Sequence, residues 1–295
     1  RLMAAAAPLA GALLGVEAHT LDALAATGLA DAAAEFVREA RRFDPALTAE
    51  DIYQASRNVW TMNAMQLVLG RPVRLTPAIL AYSLLYPYTD NYLDDPAITA
   101  AEKAAFGERF GRRLAGEALQ PRGAIEALID SLVAMIEGQF PRAAHPEVYA
   151  ALLAIHRAQA ESVALLGRGQ VDVLALTFAK GGASVVADGY LVAGTLTTAQ
   201  VDFLYGYGAL TQLIDDLEDV EQDRRAGLAT VFSSLAGRAP LDGVTTRTLY
   251  LAAQMLRCMA AASAKSAAPL CDLMQRAIGD RKSTRLNSSH TSVSR

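Results

Sequence analysis

Between Lys180 and Asp223 the chain reads KGGASVVADGYLVAGTLTTAQVDFLYGYGALTQLIDDLEDVEQD. Its apolar residues recur at the helical period and never in two-residue alternation. Thr197-Thr198 before Gln200 is a helix-start signal, so the stretch predicts two helices, 171–195 and 198–223. The second ends in an acidic run. At about 100° per residue, Asp215, Asp219 and Asp223 fall within roughly 80° of arc, with Gln212 and Asp216 close to the same stripe. Carboxylates one turn apart, about 5–6 Å between Cβ atoms, repel by roughly 2–3 kcal/mol at an effective dielectric of about 20. An apolar helix that accumulates this repulsion needs a cation.

Working outward, a second acidic stretch, Asp90-Asn91-Tyr92-Leu93-Asp94-Asp95, lies 125 positions earlier in another apolar pattern. Asp90 and Asp94 are one turn apart, and Pro96 pushes Asp95 out of the helical region. A helix C-terminus already carries partial negative charge, which adds to the need for a counter-ion there. Further helices are predicted at 19–42, 48–68, 76–94, 99–117, 122–138, 146–166 and 245–264. Thr48-Ala-Glu50-Asp51 and Thr99-Ala-Ala-Glu102 mark two of the starts. Pro87 should kink the 76–94 helix or begin a new turn. No linker or repeat divides the chain, so the expected fold is all-α, a single antiparallel bundle.

The last stretch stands apart. Residues 280–295, opening Asp280-Arg281-Lys282-Ser283-Thr284-Arg285-Leu286, are polar and aperiodic and read like a translated sequencing adapter, a non-native tail. The helical domain is therefore assigned to residues 1–279, a piece of a longer reading frame at both ends. Without the tail the formal net charge moves from −4 to −7. That balance argues against a nucleic-acid partner. Cys258 and Cys271 have no metal-ligand spacing and read as reduced core thiols of a cytoplasmic protein. The apolar run Met3–Val16 is too short to span a bilayer and is read as a first core helix. No transmembrane segment is expected.

Mg²⁺ takes hard oxygen ligands, commonly one or two carboxylates plus substrate phosphates and waters. Two acidic faces opposed across a bundle would hold several such ions, and the ions a diphosphate. Lys180, Arg168 and the pair Arg224-Arg225 are the candidate cations for the remaining phosphate oxygens. Bland readings compete: a solvated acidic face for Asp215, Asp219 and Asp223, a plain helix end for Asp90 and Asp94, a surface lysine for Lys180, an i, i+4 pair of Glu221 with Arg225, and ordinary core tyrosines. Gly181-Gly182 implies a helix break at a close backbone approach. The histidines have no ligand spacing, and the Glu-x-x-His pairs of a di-iron bundle are absent from the sequence.

The order Lys180-Gly181-Gly182, small-residue helix, Tyr205-Gly206-Tyr207-Gly208, Gln212-x-x-Asp215-Asp216-x-x-Asp219-x-x-x-Asp223 resembles the class I isoprenoid synthases. That superfamily comprises trans-prenyl diphosphate synthases, squalene/phytoene synthases and class I terpene synthases. Asp219-Val-Glu-Gln-Asp223-Arg-Arg-Ala-Gly is similar to the second acidic motif of phytoene synthases. The resemblance implies the class I bundle and an Mg²⁺-dependent enzyme that ionises an allylic prenyl diphosphate, for prenyl transfer or terpenoid formation. It implies three Mg²⁺ ions, with Mn²⁺ as a substitute, on Asp90, Asp94 and Asp95 from one side and Asp215, Asp216, Asp219 and Asp223 from the other. Arg168, 47 positions before Asp215, matches the diphosphate-sensing arginine of cyclases. Lys180, Gln212, Arg224 and Arg225 would bind substrate, with Tyr82, Leu85, Tyr86 and Tyr205 as the hydrocarbon wall. Catalysis would fall to Asp90, Asp94, Asp215, Asp219 and Lys180, and a homodimer follows from family habit.

The pattern also departs from the elongases. Gly70-Arg71-Pro72-Val73-Arg74 only echoes their homoallylic-substrate loop, the first motif is Asp-x-x-x-Asp-Asp, and Arg112-Arg113 follows late. Elongation with isopentenyl diphosphate is therefore disfavoured, which leaves cyclisation or another ionisation-driven reaction open; the alternatives to these are head-to-head condensation and a non-catalytic partner subunit of the same fold.

Overall fold

A computed structural model describes residues 22–23, 26–162, 172–263, 265–272 and 274. Among them every regular element is helical: α1 (Leu29–Phe43), α2 (Ala49–Val68), α3 (Pro77–Asp94), α4 (Ala100–Leu114), α5 (Gly123–Gln139), α6 (Pro146–Ser162), α7 (Val173–Ala193), α8 (Thr198–Glu218), α9 (Val220–Ala226), α10 (Val231–Leu235) and α11 (Asp242–Ala262), then a 3₁₀ turn Lys265–Ala267. No helix among these residues is long and apolar enough to cross a membrane. The expected helix at Met3–Val16, Arg168 and the tail 280–295 lie outside the described residues.

Local chemistry sets the starts. Thr48, Thr99 and Thr197 each form a capping box, with Asp51, Glu102 and Gln200 returning a side-chain bond to the cap N–H at 2.8, 2.9 and 2.9 Å. Pro87 neither ends nor divides α3, which runs through it. The expected helix 198–223 is in fact two. Asp219 sits between α8 and α9 at φ −95°, ψ 11°, the bridge region where active-site residues are often found. The backbone bonds Asp219 N–H to Asp215 O (2.9 Å) and Asp223 N–H to Asp219 O (2.8 Å) persist, so the chain bends without unwinding.

Neighbouring helices run antiparallel. Asn58 on α2 meets Ser83 on α3 (3.2 Å) while Gln54 meets Asp90 (3.0 Å). On α7 and α8 the contact is backbone to backbone: a Cβ built on Gly181 would stand 2.3 Å from the Gly208 carbonyl oxygen, and one on Gly208 2.1 Å from that of Gly181. Gly181-Gly182 thus marks the close approach expected of it, but not a break, because α7 runs straight through. The main core gathers Phe36, Met62, Ile79, Leu84, Leu132, Ile136, Leu152 and Leu191, all fully buried. Of the two free thiols only Cys271 is a core residue; Cys258 is exposed.

Candidate functional site

The antiparallel order brings the α3 C-terminus, the α8 C-terminus and the early turns of α2 and α7 to one end of the bundle. Asp90, half-buried, accepts a hydrogen bond from Gln54 Nε2 at 3.0 Å. One turn along α2, Arg57 lies within electrostatic reach of Asp215, and residues at that spacing have Cβ atoms about 5–6 Å apart. Two successive turns of α2 therefore face the two acidic clusters, Gln54 toward the first and Arg57 toward the second. Lys180 completes the set. It lies half-buried on α7 and acts electrostatically on Asp215, Asp216 and Asp223.

The carboxylates differ in their surroundings. Asp216 is 6% exposed, accepts from Gln212 Nε2 at 2.9 Å and from Thr177 Oγ1 at 3.4 Å, and has its pKa raised first by burial. Asp223 is 8% exposed; burial and the Asp219 charge raise its pKa, against a hydrogen bond from Thr230 and the charge of Lys180. Asp215 and Asp219 reach solvent. Around Asp215, crowding by the protein raises the pKa, Arg57 and Lys180 lower it, and Glu218 and Asp219 raise it again. Among the described residues no hydrogen-bond donor serves the Asp215 or Asp219 carboxylates, whose oxygens stay open to a cation. Asp95 is exposed and its Oδ1 accepts from the Ala97 N–H at 2.8 Å, an Asx turn that closes α3. Asp94 is the last residue of α3; its side chain lies outside the description.

The remaining candidates separate. Tyr82, Leu85 and Tyr86 line a cavity of about 40 Å³ with Phe110, Leu152 and His156. The Tyr82 and Tyr86 rings meet edge-on, 5.5 Å between centroids. Tyr205 does not join that wall. Its ring lies over Gly182, which has no Cβ to displace it, and the residue is 42% exposed. Arg224 and Arg225 are both exposed, and Glu221 pairs with Arg224 at 3.0 Å, not with Arg225, so the pair is i, i+3, one residue nearer than the i, i+4 expectation. Arg113 forms ion pairs with Asp130 and Glu137 of α5, and Arg112 with Glu117, which keeps both away from the acidic end. The Gly70–Arg74 loop is pinned to Gln66 at 3.0 and 3.1 Å, beside the start of α3. Asp90 is 13 residues further along that helix, about 20 Å away at 1.5 Å per residue.

Gln54 and Arg57 were not readable as site residues. Both belong to an ordinary amphipathic helix whose partners are 36 and 158 positions distant in the chain. Asp188 is a third residue that no motif marks. A lone acid in an apolar helix, two turns from Lys180 on the same face, was the available signal. It is 2% exposed, its Oδ1 has no hydrogen-bond partner, and burial raises its pKa well above the carboxylate range. No group of three His, Cys, Asp or Glu side chains placed to hold a metal ion occurs among the described residues. Comparison of the chain with protein-family models, with curated proteins and with solved structures finds no match.

Proposed function

We propose that the chain is an Mg²⁺-dependent class I isoprenoid synthase that ionises an allylic prenyl diphosphate. The observation that carries this reading is the reach of α2 to both acidic clusters, Gln54 holding Asp90 and Arg57 facing Asp215. The donor set fits hard divalent cations: carboxylate oxygens on two helix ends, unserved at Asp215 and Asp219, with mutual repulsion that bound cations relieve. Three protein ligands per ion are not required, since Mg²⁺ keeps waters and takes substrate phosphate oxygens. Bound Mg²⁺ would supply charge neutralisation of the leaving diphosphate.

The chain's own residues would do the rest. Asp90 and Asp94 from α3, and Asp215, Asp219 and Asp223 from α8 and α9, would hold the ions. Asp216 is committed to Gln212 and Thr177 and so positions α8 against α7. Lys180 and Arg57 would bind diphosphate oxygens, with Arg224 and Arg225 close by on the exposed side. Tyr82, Leu85 and Tyr86 would face the hydrocarbon. Their cavity of about 40 Å³ holds little more than water, so a prenyl chain enters only as α3, α4 and α6 separate. The distance of the Gly70–Arg74 loop from Asp90 favours one diphosphate at this end of the bundle, hence cyclisation or hydrolytic release over elongation. Incubating the chain with geranyl, farnesyl and geranylgeranyl diphosphates and Mg²⁺ tests the reading. Diphosphate release that Asp219→Ala abolishes supports it; no release from any of the three refutes it. A non-catalytic partner subunit of the same fold would bind neither Mg²⁺ nor diphosphate.

A further inference from the structure

Lys180, Ser184 and Asp188 stand at i, i+4 and i+8 on α7 and share one face. Asp90, Tyr86 and Tyr82 have the same spacing on α3, running the other way. The two faces meet: the Tyr86 hydroxyl lies beside Ser184 and feels the charge of both Asp188 and Asp90, and Tyr82 feels Asp188. The Tyr82 and Tyr86 hydroxyl oxygens are 3.4 Å apart. A polar strip thus leads from the acidic end about 12 Å inward along α7, eight residues at 1.5 Å each. It ends at Asp188, where a buried carboxyl oxygen has no donor and no basic side chain among the described residues offsets the loss of solvent. Such an oxygen is costly to keep unless something is to bind it.

We propose that Asp188 recognises a cation, holding positive charge carried on the hydrocarbon part of a ligand, whether a carbocation or an ammonium ion, beside Tyr82 and Tyr86. The nature of the natural ligand rests on the proposed function; the recognition itself does not. Aromatic rings next to a carboxyl suit a desolvated organic cation better than a hydrated metal ion. An opposite charge favours the ionised carboxyl. Binding a fixed cation therefore breaks the carboxyl O–H bond, passes the proton to the buffer and leaves a carboxylate–cation pair.

The test is calorimetric titration of the whole chain with a quaternary prenylammonium salt and with its neutral isostere, in which carbon replaces nitrogen. Each is run at pH 5 in two buffers of different ionisation enthalpy, with and without Mg²⁺ and inorganic diphosphate. The cation is expected to bind at least tenfold tighter than the isostere and to release a proton. Asp188→Asn should lose the preference and the proton while binding the isostere as before, and Asp188→Glu should keep the preference. Equal affinities in the unaltered protein, a preference surviving in Asp188→Asn, or parallel loss of both ligands would overturn the proposal. If Asp188→Asn does not fold, by circular dichroism, the preference of the unaltered protein for the cation over its isostere decides, and equal affinities refute. Failure to bind Mg²⁺ with diphosphate would instead sink the proposed function, leaving the cation comparison readable in the arms run without them.

Discussion

Removing the charge of Asp188 should stabilise the protein at neutral pH. Its folded pKa lies well above the unfolded value, so the folded state binds more protons wherever the two differ. Stability is then full below the unfolded pKa of about 3.9 and falls as pH rises toward the folded value. Asp188→Asn abolishes that slope. The variant should gain stability over the unaltered chain at pH 7, where the raised carboxyl costs the folded state, and nothing near pH 3.5. Urea melts at the two pH values check this, and an equal loss at both would mean that contacts hold the carboxyl in place. At the mouth, Lys180→Met should lower diphosphate release by roughly 10²–10³-fold with the melting curve kept, the usual loss for one charge-stabilising donor. Lys180 was legible because its motif is local: a lysine before two glycines in an apolar helix. Arg57 was not, because only the folded chain brings α2 against α8.

At the scale of elements, the glycines of α7 and α8 carry the argument. Gly208→Ala would push a methyl group to 2.1 Å from the Gly181 carbonyl oxygen, and neither helix backbone can yield locally. A loss of about 1–3 kcal/mol or more is expected, the range for overpacking. Gly107→Ala on α4 meets nothing within 4 Å and should gain about 0.5–1 kcal/mol from helix propensity. Paired denaturation curves decide, and a Gly208→Ala no worse than Gly107→Ala would contradict the close contact. Capping threonines were readable because a cap is written within four residues. The bend at Asp219 was not, since hydrophobic spacing runs on through it. Nor was α10, whose five residues are too few to display a helical period.

For the whole molecule, charge decides the order of assembly. A chain of net charge −4, or −7 without its tail, repels free diphosphate, and among the described residues Lys180 and the exposed arginines counter this at the acidic end. Binding should therefore require Mg²⁺ and diphosphate together. A ligand pair at about 100 times its apparent Kd stabilises the folded state by about 2.7 kcal/mol, which for a domain of this size moves Tm by roughly 5–10 °C. Mg²⁺ alone, or diphosphate alone, should move it by less than about a quarter of that, because each then lacks the other's charge. Asp90→Ala and Asp215→Ala should each reduce the joint shift, and the double variant should erase it, since the two carboxylates approach from opposite helices. EDTA should reverse the shift. Differential scanning fluorimetry reads all of these arms. A full shift with Mg²⁺ alone would point to a metal site unrelated to diphosphate. A joint shift that survives in the double variant would show that the α3 and α8 ends do not share a ligand, and the reading built on α2 would fail with it.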